Sequence, residues 1–413
     1  MNLVFDKWDN TGNAIPNLSE LDTKEQFALF PFFMKEGDLS DKMGMDDVFI
    51  KKCKVDEINL NEKFYYIISL RFSFLFCIKK GDIYLPKQIE EYIKNYNLKV
   101  IFLCELENHK YANVFIKLLS EKIKKNNWNE ENFYIIDNNS THDIIKEKFK
   151  TNINFFKINY LFYLLSKIEN KMRIDNLLMD KKFIFLCHNR EAHHHRILLL
   201  THLKYNNLLK NDIINWSLLF NQINETSQAD GVSITRFKDY IDINNKILVS
   251  DFSEMRKTKK ICHYEKNSDI KNNRNDYNVV GFVTEMSYQN AYINIVTETH
   301  FIGSEGVHIT EKSLKPFYYF QLPIFLAAYN HVKMLKDEYG FYLFDDLIDH
   351  SYDNEPNDSK RFHMIVNEIQ RLSNMREEIS NYYKNNVNKL IHNHSIIKNN
   401  KYEEVFKEYI LNI

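Results

Sequence analysis

Between Tyr292 and Asp353 the chain alternates apolar runs of strand length with segments that carry helix start and stop signals, and few folds accommodate that pattern. Tyr292–Val296 reads as a buried strand ending in the polar triplet Thr297-Glu298-Thr299. A short loop with Gly303 and Gly306 leads to Thr310, placed as an N-cap directly before Glu311-Lys312-Ser313-Leu314-Lys315. Pro323 limits that helix, and Ile324–Ala328 is a second run of strand length. Asn330–Tyr339 reads as a helix closed by Gly340 in the C′ position. Phe341–Phe344 is a third strand candidate. Strand–helix–strand–helix–strand predicts an open α/β layer.

In such layers ligands bind beyond the carboxyl ends of the strands. Here that edge carries Glu298, then Thr310 and Glu311 at the start of the next helix. Lys312 and Lys315 are three apart and share a helix face. Beside the unpaired N–H groups of a helix start they can hold a diphosphate. Glu298 and Glu311 are acceptors suited to a ribose diol. The alternative for the same residues is a solvated Glu-Lys-Lys face.

Two further stretches repeat the logic. Phe183–Cys187 is a short buried strand, followed by His188-Asn189-Arg190, then Glu191 to Arg196, then a helix over Ile197–Leu203. Arg190 suits a leaving diphosphate, because a guanidinium offers several donors and stays charged at any working pH. The alternative is a surface arginine paired with a carboxylate. In the first half, Leu98–Cys104 is a strand, about Lys110 to Lys125 a helix with apolar Val114, Leu118, Leu119 and Ile123, and Phe133–Ile136 a strand ending at Asp137. Glu105, Glu107, Asp137 and His142 follow strand ends there. Transfer to a hydroxyl needs a general base. Glu105, Glu107 and Asp137 are all candidates, with loop capping as their other reading.

Ile309-Thr-Glu-Lys-Ser-Leu-Lys-Pro316, followed by Gln321-Leu-Pro-Ile324, resembles the signature of a phage and viral glycosyltransferase family. It is also similar to the Val-Thr-Glu-Lys motif of α1,3-fucosyltransferases. Cys187-His-Asn-Arg190, with His195-Arg196, resembles the Asn-Arg-x-x-x-x-His-Arg motif of the viral enzymes, although Ala192-His193 stand where more basic residues belong. Thr297-Glu298-Thr299 resembles the Phe-Glu-Asn segment of fucosyltransferases, with Thr in place of Asn. The resemblance implies a GT-B-like α/β fold, with two Rossmann-like domains facing a cleft and C-terminal helices. It implies a nucleotide-sugar donor in the second domain, with Glu311 at its ribose or sugar and Lys312 and Arg190 at its phosphates. Inversion at the sugar carbon and a viral origin are implied in the same way. The motifs do not reach the first half, so no base is carried over.

At 413 residues the chain is too long for one ordinary core and suits two domains. The expected division is 1–176 for an acceptor-side domain, 177–380 for a donor domain and 381–413 for a helical tail. Ile153–Lys171 reads as a helical connection, residues 1–60 as irregular, Phe27–Phe33 as core, and Arg361–Ile379 as a helix. A formal charge of −1 gives no global attraction to nucleic acid or anionic membrane. Arg256–Lys260 and the polar stretch Lys266–Asp276 are the local exceptions. None of the five cysteines forms a C-x-x-C pair, so reduced buried thiols are expected. No run approaches a membrane span and the first ten residues lack a signal pattern, which predicts a cytoplasmic protein, in the host cytoplasm if viral. His193–His195 point about 100° apart on a helix and do not converge on an ion. Asp345-Asp346, with Asp349 and Asp353, reads as a solvated loop or one edge of a sugar site.

The expectation is therefore a metal-independent glycosyltransferase that needs no cofactor besides its nucleotide-sugar substrate. Its catalytic candidates are Arg190, Lys312, Glu105 and Asp137. Its donor-binding candidates are Asn189, Arg190, Arg196, Glu298, Thr310, Glu311, Lys312 and Lys315. A glycan or protein-linked acceptor is preferred to DNA. The alternatives are transfer to modified bases of viral DNA and a non-catalytic nucleotide-sugar-binding protein.

Overall fold

The fold is that of a computed structural model. It describes residues 2–5, 51–52, 64–69, 78–79, 81–83, 85, 87–96, 98–104, 109–137, 142–157, 162, 165–166, 177–220, 237–260, 285–299, 301 and 307–399. Within these, the side chains of Asp137 and Arg190 are among those left undescribed. The chain divides into two compact units, the first of residues 1–163 with 401–413 and the second of residues 164–400.

The first unit is built on a sheet of six strands in the order β2-β1-β3-β6-β7-β8. These are β1 (Asn2–Phe5), β2 (Lys51–Lys52), β3 (Phe64–Ser69), β6 (Lys99–Cys104), β7 (Phe133–Asp137) and β8 (Asn154–Lys157). Every pairing in it is parallel. A small antiparallel hairpin of β4 (Ile78–Lys79) and β5 (Asp82–Ile83) precedes helix α1 (Lys87–Tyr96). Helices α2 (His109–Asn126) and α3 (His142–Phe149) complete the alternation. The core joins Val100, Phe102, Phe133 and Ile135 of the sheet to Phe115, Leu119 and Ile123 of α2. Phe115 and Ile116 take the inward place expected of Val114, which is 47% exposed.

Two expectations for this half are corrected. Residues 1–60 are not wholly irregular, because β1 and β2 join the sheet, β1 through four paired positions with β3. Ile153–Lys171 is not a continuous helix, because Asn154–Lys157 pairs with Tyr134–Asp137 as an edge strand.

The second unit has a four-stranded parallel sheet, order β10-β9-β11-β12. Its strands are β9 (Phe183–Glu191), β10 (Ile214–Phe220), β11 (Ala291–Thr297) and β12 (Leu322–Leu326). All seven residues of β11 and all five of β12 are buried, as befits strands covered on both faces. The helices are α4 (His194–Tyr205), α5 (Lys246–Met255), α6 (Glu285–Gln289), α7 (Glu311–Tyr318), α8 (His331–Asp337), α9 (Asp358–Leu372), α10 (Arg376–Asn385) and α11 (Val387–Lys398). Phe362, Ile365, Ile369 and Leu372 bury one stripe of α9. The α/β class with Rossmann-like parallel sheets and C-terminal helices is as expected.

Several boundaries differ for identifiable reasons. β9 runs to Glu191 rather than stopping at Cys187, because β10 pairs with it as far as Phe220↔Glu191. α4 accordingly begins at His194. Pro323 does not limit α7 but lies inside β12, an edge strand whose free side tolerates a missing N–H. Phe341–Phe344 is not a strand. The Asn393 side chain accepts from the Tyr342 N–H and donates to its carbonyl, both at 2.8 Å, and so replaces a ladder partner. The segment expected as one helix over Arg361–Ile379 is split between α9 and α10.

The start of α10 also ties the base of the sheet. Arg376 donates to the carbonyls of Lys181, Lys182 and Asp212, ahead of β9 and β10, at 2.7–3.1 Å. No helix among the described residues is long and apolar enough to cross a membrane.

Candidate functional site

In chain order the second sheet starts at β9, adds β10 on one side, then crosses back to place β11 on the other. Its topological switch point is therefore the crevice at the carboxyl ends of β9 and β11. Thr297 at the end of β11 donates to Asn189 Oδ1 of β9 across that crevice at 2.7 Å. Asn189 in turn donates to Cys187 Sγ at 3.3 Å. Burial pushes the Cys187 thiol up to about 12, against the Asn189 bond and the charge of Arg196, so it is an inert thiol.

The next residue of the strand end, Glu298, organises the site. It is 1% exposed, and both carboxylate oxygens are occupied. Oε1 accepts the Thr310 N–H at 3.2 Å and lies 2.9 Å from the Thr310 hydroxyl, which is 2.7 Å from Oε2. Ser313 donates to Oε1, and the Thr299 N–H to Oε2 at 3.2 Å. Thr310 is the N-cap of α7, its hydroxyl accepting the Lys312 N–H at 3.2 Å.

In a capping box the residue three beyond the cap is Glu or Gln, and it reaches back to the cap N–H. Here that position is Ser313, and the returning carboxylate comes from the neighbouring strand end. Burial by itself would raise the Glu298 pKa. The charge of Lys312 and the bonds from Ser313 and Thr310 outweigh it and hold the carboxyl well below the usual range. The α7 N-terminus favours the anion too.

Behind Ser313 stands His331, with Nε2 2.8 Å from the serine oxygen. The serine has one proton and gives it to Glu298, so His331 Nε2 is the donor of this pair. That leaves His331 Nδ1 as a buried lone pair with no hydrogen-bond partner among the described residues. Burial lowers the His331 pKa, although Glu298 and Asp353 pull the other way, so the ring is neutral and the cation facing Glu298 is Lys312. Ser313 is fully buried, which rules it out as a nucleophile despite its contacts with a histidine and a carboxylate. Sequence reasoning missed Ser313 and His331. The available signal was a capping box lacking its Glu.

The cations converge on the same edge. Lys312 Nζ lies 2.9 Å from Glu311 Oε1, 3.3 Å from Thr299 Oγ1 and 3.4 Å from Thr310 Oγ1, with a quarter of its side chain exposed. Lys315, on the same helix, is 8% exposed. Its charge reaches His188 on β9; burial first and that charge second lower the His188 pKa to about 3. His188 Nδ1 is 3.0 Å from Ser217 Oγ of β10. Arg196, in the first turn of α4, is 2% exposed and donates to the carbonyls of Thr297 and Glu298 at 3.1 and 3.4 Å. His195 donates through Nε2 to the Glu298 carbonyl at 2.8 Å.

Of the expected donor residues, Asn189, Arg196, Glu298, Thr310, Glu311, Lys312 and Lys315 thus gather around the ends of β9 and β11. Glu298 spends both carboxylate oxygens, and Arg196 its Nη2, on fixing that edge. Glu311 and Lys312 keep partial exposure. Arg190 follows Asn189 at the carboxyl end of β9; its side chain is outside the description. Asp137 ends β7 in the first unit, paired with Cys104. Glu105 and Glu107 lie outside the described residues.

The other expected features are engaged locally. His193 and His195 stack on each other at 5.8 Å, while His194 turns away to pack on Phe237 at 4.9 Å, so the three rings of the triplet do not face one point. Asp345 accepts from His350 and Lys336, which hold its carboxyl well below the usual range. Asp353 caps α8 by accepting the Val332 and Lys333 N–H groups at 3.0 and 2.9 Å. Lys260 lies 4.2 Å over the Trp216 ring, and its backbone pairs with Leu218. Lys266–Asp276 and Phe27–Phe33 are outside the described residues. Among the described residues no group of three or more His, Cys, Asp or Glu is placed to hold a metal ion.

No family model and no curated protein sequence matches the chain. Among solved structures, the crystal structure of the DNA-modifying enzyme β-glucosyltransferase, determined in the presence and absence of its substrate uridine diphosphoglucose, is similar over 99% of this chain and 99% of its own. The identity is 12% and the TM-score 0.39.

Proposed function

We propose that the protein is a nucleotide-sugar-dependent glycosyltransferase whose donor diphosphate lies against the N-terminus of α7. The observation that supports this reading is the gathering of Lys312 and Lys315 at the switch point between β9 and β11, beside the strand end that carries Arg190. In the transfer, an acceptor hydroxyl attacks the anomeric carbon, the bond to the diphosphate oxygen breaks, and negative charge grows on the leaving group. Fixed cations there lower the barrier without a metal. Lys312 and Arg190 take that role, and Glu311 meets the donor ribose or sugar. Glu105, Glu107 and Asp137, in the chain at or just past the ends of β6 and β7, are the candidates for the base that accepts the hydroxyl proton. By resemblance to fucosyltransferases the sugar carbon inverts.

The acceptor in this reading is a glycan or protein-linked glycan. A second reading takes modified bases of viral DNA, favoured by the exposed Lys257 and Lys259 after α5. A third, a non-catalytic nucleotide-sugar-binding protein, shares the same donor contacts. A thermal-shift screen with UDP, GDP, CDP and their sugars, followed by donor hydrolysis, tests the proposal. Stabilisation by one diphosphate series, with turnover, supports it; stabilisation without turnover favours the binding protein; no response to any of them overturns it. DNA binding that weakens steeply with salt would select the second reading.

A further inference from the structure

The first unit holds a cavity of about 560 Å³ at the end of its sheet opposite the one where Asp137 lies. Lys99 opens β6 and Asn154 opens β8, so the cavity sits over the amino ends of β6, β7 and β8. Its volume is in the range of small-molecule sites. Nothing in the donor-site reading uses it.

The walls are built rather than incidental. The Glu130 carboxylate accepts from the Thr151 hydroxyl at 3.1 Å and the Asn152 N–H at 2.5 Å. The Asn154 amide donates to the Glu131 carbonyl at 2.9 Å. These bonds tie the loop before β7 to the loop before β8. Thr151 also accepts the Ile153 N–H at 3.3 Å, which fixes the second loop internally. The Tyr134 ring stacks on Phe156 at 6.1 Å and carries the Lys99 ammonium at 5.5 Å from its centroid.

With the scaffold held this way, the side chains of Glu131 and Asn152 make no hydrogen bond among the described residues. Lys146 has its ammonium 5.5 Å from the Phe155 ring. The lining offers a carboxylate acceptor, an amide that both donates and accepts, and ammonium donors. An apolar ligand would bury these groups unpaired, which is costly. A phosphate only accepts, and it would meet the Glu131 carboxylate. A polyol matches the set, because each hydroxyl donates and accepts and neighbouring hydroxyls suit the planar Asn and Glu side chains.

We propose that this cavity is a saccharide-binding subsite taking a neutral oligosaccharide, separate from the donor site and independent of its assignment. In a glycan-modifying protein it would grip a part of the glycan remote from the reacting hydroxyl.

The test is isothermal titration of the full chain with chitotetraose, cellotetraose, maltotetraose and mannotetraose. At least one is expected to bind, with affinity unchanged by saturating UDP. The paired substitution Glu131→Ala and Asn152→Ala should weaken it at least tenfold. Both side chains are exposed, so the melting temperature of that variant should stay at the wild-type value, which separates lost binding from lost folding. A more conservative pair, Glu131→Gln and Asn152→Asp, guards against a folding failure and should also weaken binding. Overturning results are no binding by any of the four, affinity untouched by both variants, or displacement by pyrophosphate or UDP.

Discussion

Thr310 turns both its backbone N–H and its hydroxyl onto one carboxylate, that of Glu298, twelve residues earlier in the chain. The strand end and the helix start are thereby a single rigid piece. Lys312, two residues into that piece, is aimed by it through the cap and through its own contacts with Thr299 and Thr310. Substitutions at this edge should accordingly fall into two kinds, those that remove charge and those that loosen the frame.

Lys312→Ala and Arg190→Ala belong to the first kind. Each should lower the rate of donor hydrolysis or transfer by about 100-fold or more, the scale of losing one fixed group that stabilises developing charge. The melting temperature should hardly move. Lys312→Arg should not restore the rate, because a planar fork does not reproduce a point charge. Full turnover in both alanine variants would sink the donor-site assignment.

Glu298→Gln belongs to the second kind. An amide cannot accept from Thr310, Thr299 and Ser313 together, and it leaves buried donors facing an NH2 group. The expected loss at pH 7 is about 3 kcal/mol, read from urea unfolding. Glu298 has a folded pKa below its ordinary value of 4.5, so its contribution is fully present above that pH. The gap between wild type and Glu298→Gln should therefore narrow as the pH is taken below 4.5. A gap that widens instead would show that the carboxylate is not held in its charged form.

Acid should also act earlier, through buried histidines. Burial lowers the pKa of His188, His202 and His331, each from an ordinary value of 6.5. Each binds a proton less readily in the fold than in the unfolded chain, so stability is intact above pH 6.5 and falls below it. From pH 7.5 to 5.5 the expected loss is about 1 kcal/mol from His188, with His202 and His331 adding in the same direction. Urea midpoints across this range measure it. Constant stability between these two values would contradict the assignment of neutral rings.

Asn393→Ala tests the substitute for a strand partner. It removes both amide bonds to the Tyr342 backbone, and the expected cost is about 1–3 kcal/mol. Hydrogen exchange at the Tyr342 amide should rise at the same time. An unchanged exchange rate would mean that the amide bond is not what protects this segment.

Much of the frame around the ends of β9 and β11 was readable in the chain. β11 is an unbroken apolar run, Thr310 is a cap by residue type, and Gly340 takes the positive φ of +73° that a helix end calls for. What escaped depends on partners far away in sequence. Polar His188-Asn189-Arg190 looks like a loop until β10 is laid beside it. Phe341–Phe344 has a strand's apolar content, yet its hydrogen bonds go to an asparagine fifty-one residues on. Pro323 signals a break unless the strand is known to be an edge. Glu298 reads as a ligand contact, and only its neighbours Thr310, Ser313 and Thr299 reveal that its oxygens are already taken. The acidic turn at Asp345–Asp353 is engaged in the same way, by His350, Lys336 and the start of α8.

Arg376 reaches back almost two hundred residues to the carbonyls of Lys181 and Lys182. The base of the second sheet is therefore latched by a segment that leaves the ribosome long after the strands it closes. A nascent chain halted before that point lacks the latch, and this half of the protein settles into its final form only once Arg376 has emerged.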